Sequence, residues 1–230
     1  KKTFIKYMFN YIINAFIVFM FYLFTYIFLE DYNITFRRLE LNKRLYVVKN
    51  LVKSFNLGYI SIVYTNTLVN YIMNNKYDML VIRDIASFYV SNDIIALIVV
   101  PNLPMTTKIH HSITSLLLGY TIMVDYNDVS NPGKLLLIYT LLSCYSFLVN
   151  FYLGIRFLEQ KNTENKLIKY SRVTSFYTYA TCCIVNWTIQ CLVMLYRIIN
   201  LQYNLHYLAY TGLLYFIVKD DLILMSWLKN

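Results

Sequence analysis

Five long runs without a charged residue constrain this sequence more than any other feature. A helix that crosses a bilayer needs about 20 consecutive, mostly apolar residues, and each of these runs contains at least 21. They cover residues 7–29, 54–75, 135–155, 173–196 and 198–218. Only 14% of all residues are charged, against about 25% in soluble domains. The pattern therefore predicts a polytopic membrane protein and argues against an ordinary soluble enzyme.

Two further segments raise the predicted number of spans to about seven. Residues 85–107 are interrupted only by Asp93, and residues 109–124 form a shorter run that opens with two histidines. Pro101 and Pro104 lie between the two segments, and proline does not continue a helix. The expected fold is an all-α, polytopic transmembrane helix bundle.

The basic residues divide this chain into two expected units. Residues 1–53 hold the first span and a basic segment, in which 37–53 is expected to lie on the membrane as an interfacial helix. Residues 54–230 hold the remaining six spans as one bundle.

The net charge of +9 is explained by the same topology. With seven spans, 14 of the 21 Lys and Arg residues fall on one side of the membrane. The positive-inside rule places that side, with the C-terminus, in the cytosol. Contact with anionic lipid then accounts for the excess of basic residues, so nucleic acid is not an expected partner.

Asp93 is the clearest candidate functional residue, because it lies inside a predicted span. A carboxylate at membrane depth costs about 3 kcal/mol and needs a polar partner. Tyr89 precedes it by one helical turn, and His110, His111 and Thr114 open the next span. One interpretation is a polar pocket in which a histidine acts as a general base. The other is an Asp–His pair that only holds two helices together.

Two stripes of polar side chains follow in later spans. Their helical spacing puts the members of each stripe on one face. Such stripes usually join helices to one another, and the alternative is that they line a cavity for a lipid headgroup. The stripes consist of Ser143, Ser146 and Asn150 in the fifth span, and of Tyr179, Cys183, Asn186 and Gln190 in the sixth.

Cofactor-dependent chemistry has little support in the sequence. Three histidines in the whole chain cannot supply the histidine boxes of a membrane di-iron enzyme. No glycine-rich phosphate loop is present either. We therefore expect no cofactor and no metal.

Three signals together suggest a family. An Asp at 93 is followed, after a Pro-rich break, by the pair His110-His111. A Ser-x-x-x-Asn segment ends at Asn150 near an arginine, and an Asn-Trp pair begins at Asn186. This arrangement resembles the TLC domain, which is shared by translocating-chain-associating membrane proteins, ceramide synthases and several small lipid-linked membrane proteins. The number of predicted spans and the chain length agree with that resemblance.

The resemblance implies a lipid-linked function with or without catalysis. In ceramide synthases the histidine pair and further Asp residues transfer an acyl group from acyl-CoA to a sphingoid base. Their pattern continues with acidic residues in the following span, whereas residues 135–146 contain none here. Asp125 and Asp128 lie in the preceding loop instead. The resemblance therefore implies the non-synthase branch, linked with lipid binding, membrane lipid composition or trafficking.

The expected function is accordingly a TLC-type integral membrane protein that binds or handles a lipid. The endoplasmic reticulum or a related endomembrane is the expected location, with a mitochondrial membrane as the alternative. Two other functions stay open: a structural transmembrane subunit bound to other membrane proteins, and a lipid acyltransferase using His110 or His111. The expected lipid-binding residues are Tyr89, Asp93, His110, His111, Thr114, Ser146, Asn150, Tyr179, Asn186 and Gln190.

Overall fold

The computed structural model describes residues 2–159 and 166–229, and in these ranges the chain forms ten helices and no strand. The expectation of an all-α fold is confirmed. The helices are α1 Lys2–Tyr32, α2 Ile34–Arg37, α3 Leu41–Val63, α4 Thr65–Asn74, α5 Met79–Val99, α6 Met105–Met123, α7 Gly133–Cys144, α8 Phe147–Ile155, α9 Lys166–Ile199 and α10 Leu205–Lys229.

The helix ends follow local sequence signals. The break between α5 and α6 spans the two prolines, and α6 begins directly after Pro104. Asn75 ends α4 in the left-handed conformation, with φ 52°, which asparagine tolerates better than most residues. Asp78 caps α5, because its side chain accepts a hydrogen bond of 2.8 Å from the Leu80 amide.

Three helical stretches are long and apolar enough to cross a membrane: Phe9–Tyr32, Gly133–Ile155 and Lys166–Ile199. They expose large apolar side chains, including Phe16, Phe24 and Leu192, to the surroundings. Extended apolar surfaces of this kind are uncommon on soluble monomers. The three stretches therefore support membrane association.

The segment expected at the interface belongs to the core. Residues 41–53 are the first half of α3, which packs against α8, α1 and α5. Val47, Val48 and Val52 are buried, and Leu57 and Ile60 continue the buried side of the same helix. Residues 37–53 thus do not form a helix of their own, because the apolar residues of 41–53 extend the buried stripe of one long helix. The expected boundary between residues 53 and 54 falls inside α3.

A glycine lets α3 and α8 approach closely. A Cβ atom at Gly154 in α8 would lie only 2.7 Å from Leu51 Cδ2 in α3. A second connection is made by Ser54, whose hydroxyl donates a hydrogen bond of 2.8 Å to the Phe147 carbonyl. Small residues and short polar side chains are usual where helices pack closely in membranes. This contact fixes the position of the two lysines described next.

Candidate functional site

A polar cavity of about 100 Å³ lies between α3, α5, α6, α7, α8, α9 and α10. The structure brings most of the expected site residues to its wall. The expected residues that line it are Tyr89, His110, His111, Ser146, Asn150, Tyr179 and Asn186.

Asp93 lies next to the cavity, completely buried, and has three polar neighbours. Lys53 Nζ lies 2.5 Å from Asp93 Oδ1, and the Thr114 hydroxyl donates a hydrogen bond of 2.9 Å to Oδ2. His111 Nδ1 lies 3.1 Å from Oδ1, although the pair does not have hydrogen-bond geometry. The prediction that Asp93 is buried beside a histidine or another polar group is confirmed. The lysine from α3 was not expected.

His110 has a different partner. Its Nδ1 lies 3.2 Å from Asp220 Oδ2 in α10, and both side chains are partly exposed. The two histidine rings are perpendicular, at an interplanar angle of 87°. Neighbouring helical residues diverge in this way, so each histidine meets its own carboxylate. His110 thus faces α10, whereas His111 faces Asp93.

Asp221 is a second buried carboxylate, and it lies in the cavity wall. Tyr179 donates a hydrogen bond of 2.7 Å to its Oδ1, and Tyr139 donates one of 3.3 Å to its Oδ2. The two hydroxyls satisfy both carboxylate oxygens and connect α7, α9 and α10. Tyr179 therefore joins helices and lines the cavity at the same time.

The Lys49 ammonium has fewer close compensating contacts than the other charged groups of the cavity. Its side chain is 5% exposed, and the ammonium lies 5.6 Å from the centre of the Tyr46 ring. Within the described part of the chain, no carboxylate oxygen lies within 4.0 Å of it and no hydrogen bond reaches it. A cation–π contact offsets only part of the cost of burying an ammonium group.

Gln190 and Asn186 use their polar side chains to connect helices. The Gln190 amide donates to the Leu135 carbonyl at 3.0 Å and to Asn186 Oδ1 at 3.1 Å. It also accepts a hydrogen bond from the Tyr210 hydroxyl at 3.2 Å. Gln190 therefore connects α7, α9 and α10 away from the cavity, whereas Asn186 also reaches the cavity wall.

Sequence reasoning did not identify four charged side chains of the cavity wall: Lys49, Lys53, Asp220 and Asp221. Both pairs lie just outside a charge-free run, where the pattern gives no sign that a charge is buried. One signal could have found Asp221, because Tyr210, Leu214, Ile217 and Asp221 repeat every three or four residues and form one buried face of α10.

Among the described residues, one group of side chains beside the cavity could hold a metal ion. One ligand atom each of Asp93, His110 and His111 lies within 4.8 Å of the others. The Asp93 carboxylate is already matched by the Lys53 ammonium, and a second lysine lines the same cavity. Two neighbouring positive charges disfavour another cation, so the geometry favours an ion-pair cluster over a metal site.

An apolar pocket adjoins the polar cavity. It is smaller, about 40 Å³, and the two share Tyr89 and Tyr139 in their walls. Thr114 lies in its wall together with apolar residues such as Leu117 and Leu137. A charged chamber next to an apolar pocket is the arrangement that an amphiphilic molecule requires.

Comparison with protein-family models, curated proteins and solved structures finds no match to this chain.

Proposed function

We propose that this chain is a seven-span integral membrane protein of the TLC type that binds a membrane lipid in its polar cavity. The carrying observation is the cavity itself, where the Lys53–Asp93 ion pair, the His110–Asp220 contact and Lys49 lie together inside a bundle of mostly apolar helices. Charged side chains are costly at membrane depth and mark binding or transport sites there. A headgroup in this chamber, with hydrocarbon towards the apolar pocket, uses both features.

Seven spans are supported by the helix order. Four further spans complete the set. One consists of α3 together with α4, and the others are α5, α6 and α10, each joined to its neighbours by a short connection. They contain more charged or other polar side chains than a clearly apolar span, among them the site residues Lys53, Asp93 and Asp221. The lipid-linked resemblance supports the endoplasmic reticulum or a related endomembrane as the proposed location, with a mitochondrial membrane as the alternative.

The test is lipid retention by the purified protein. After extensive washing in detergent, lipid extraction and mass spectrometry should find about one lipid molecule per chain, drawn from a restricted set of headgroups. Ser146→Leu, which fills part of the cavity, should lower that occupancy several-fold. Thr188→Leu places a leucine on the exposed face of α9 instead and is the control.

Two results would contradict the proposal. One is wild-type protein without stoichiometric lipid. The other is equal retention in the two leucine variants, which would place the lipid on the outer surface. A folded, monodisperse Ser146→Leu protein in size-exclusion chromatography is required for the comparison.

One observation favours a lipid acyltransferase as the second candidate. The sequence argument against it was the lack of an acid in residues 135–146, and α10 supplies Asp220 and Asp221 to the same cavity. Asp220 next to His110 Nδ1 leaves Nε2 of that ring to take a proton from an acceptor hydroxyl or amine. Transfer from acyl-CoA to a sphingoid base or lysolipid that disappears in His110→Gln would make this function the leading one. No transfer by lipid-binding wild-type protein would leave lipid binding alone.

A further inference from the structure

The proposed lipid site contains one charged group that has no hydrogen bond and no carboxylate within 4.0 Å among the described residues. Asp93 is matched by Lys53, and Asp220 lies beside His110. Asp221 accepts hydrogen bonds from two tyrosine hydroxyls. The Lys49 ammonium, in contrast, contacts only the face of the Tyr46 ring, and Asp93 and Asp220 attract it from a greater distance.

The lack of a close partner for the Lys49 ammonium is energetically unfavourable because this side chain is almost fully buried. An ammonium group removed from water without an acceptor costs several kcal/mol, even after local relaxation. Native proteins keep such groups mainly where they have a function. The missing partner is an anion, and the cavity in front of Lys49 provides the space for one.

The side chains that α3 and α8 contribute to the cavity suit a phosphate group, whereas the Asp220 and Asp221 carboxylates of α10 in the same wall repel one. Asn50, Ser146 and Asn150 line the same cavity and carry amide or hydroxyl groups that can donate hydrogen bonds. A lysine contributes a compact positive charge, which is a common way to hold a phosphate. Lys53 lies one turn further along α3, but its charge is already used by Asp93.

The helix order also puts basic residues near this end of the bundle. The cavity lies towards the start of α3 and of α6 and towards the end of α8, and exposed Lys43 and Lys108 belong to the same helix starts. Positive charge around an entrance raises the local concentration of anionic ligands. Anionic lipids in the cytosolic leaflet would meet these residues first.

We propose, on the basis of the proposed lipid site, that the cavity binds an anionic phosphate group and that Lys49 is its counter-ion. The phosphate is carried either by a lipid headgroup that ends in a phosphate monoester or by a soluble phosphate compound. Phosphatidylcholine, whose headgroup has no net charge, should bind more weakly than phosphatidic acid.

Native mass spectrometry of the detergent-purified protein provides the test. Phosphatidic acid and phosphatidylcholine with identical acyl chains are titrated separately, and inorganic phosphate is added as a competitor. The wild type should bind phosphatidic acid at least about tenfold more tightly. Lys49→Met should remove that preference without changing phosphatidylcholine binding, and Lys49→Arg should retain it. Lys43→Met removes one exposed charge from the same helix and should leave the preference intact.

The outcomes separate the two proposals. Lipid binding without preference for phosphatidic acid, or a preference that persists in Lys49→Met, would overturn the phosphate assignment and leave the lipid site standing. Absence of binding by either lipid would remove the lipid site. Competition by inorganic phosphate that depends on Lys49 would identify a soluble phosphate compound as the source, while no competition would identify the lipid headgroup.

Discussion

The buried charges of this cavity differ in whether another side chain already compensates them. Lys53 and Asp93 form a close pair, and Thr114 satisfies the second carboxylate oxygen. Lys49 lies one turn earlier on the same helix and has no such partner among the described residues. Two lysines of the same helix should consequently respond to mutation in opposite directions.

Removing Lys53 should destabilise the protein strongly. Lys53→Met leaves the Asp93 charge buried without a cation, and breaking a buried pair in this way costs about 3–5 kcal/mol. Thermal unfolding of the detergent-solubilised protein measures the loss. Lys53→Met combined with Asp93→Leu should recover most of it, because no isolated charge remains. A single variant as stable as the exposed Lys43→Met would show that the pair is not buried as described.

Removing Lys49 should have the opposite effect. In lipid-free detergent, Lys49→Met should raise the free energy of unfolding by about 1–2 kcal/mol, the range of a good stabilising substitution. The reason is that methionine has similar length and leaves no charge to desolvate. Chemical unfolding of both proteins after lipid removal checks the sign. A loss of stability in Lys49→Met would indicate that the ammonium is already compensated inside the protein.

At the scale of helices, the position of α3 determines the site. α3 carries both lysines, and it packs tightly against α8 at Leu51 and Gly154, between Lys49 and Lys53. The Ser54 hydroxyl reaches the Phe147 carbonyl at the start of α8. Any side chain that separates α3 from α8 therefore also displaces the lysines from the cavity.

Gly154→Leu should demonstrate this dependence. The added Cβ would lie 2.7 Å from Leu51 Cδ2 and 3.4 Å from the Leu51 backbone nitrogen, so α3 must move. Overpacking of this kind costs about 1–3 kcal/mol, and bound lipid should decrease with it. Gly212→Leu is the matched control, since nothing lies within 4 Å of a Cβ atom there. Gly154→Leu should lower both the temperature of thermal unfolding and the amount of retained lipid relative to Gly212→Leu. Equal behaviour of the two variants would contradict the close contact between α3 and α8.

At the scale of the whole molecule, charge-free runs predicted the all-α class because helix length and apolarity are properties of a single segment. The same argument located Asp93, His110 and His111, whose polarity conflicts with the surrounding segment. It missed Asp220 because that residue follows a charge-free run, whereas α10 continues past it to Lys229. Which residues contact each other across helices, such as Lys53 and Asp93, depends on helix packing. A single sequence does not specify that packing.

The arrangement of the helices makes a last prediction about sides of the membrane. If α3 with α4 crosses the bilayer, Lys43 and Lys166 lie on one side, and Lys76 and Asn127 lie on the other. The distribution of basic residues places the first pair in the cytosol. Single cysteines at these four exposed positions can be labelled with an impermeant maleimide in intact and permeabilised cells.

The native thiols must first be removed from the background, because Cys191 is exposed and Cys182 is partly so. Cysteines at 43 and 166 should then react only after permeabilisation of the plasma membrane, and those at 76 and 127 should need the endomembrane opened as well. Equal behaviour of positions 43 and 76 would mean that α3 and α4 do not cross. Fewer than seven spans would then remain, and the cavity between α3 and α10 would lie outside the bilayer. Burying charge costs less free energy there, so the argument for a bound lipid would lose its main support.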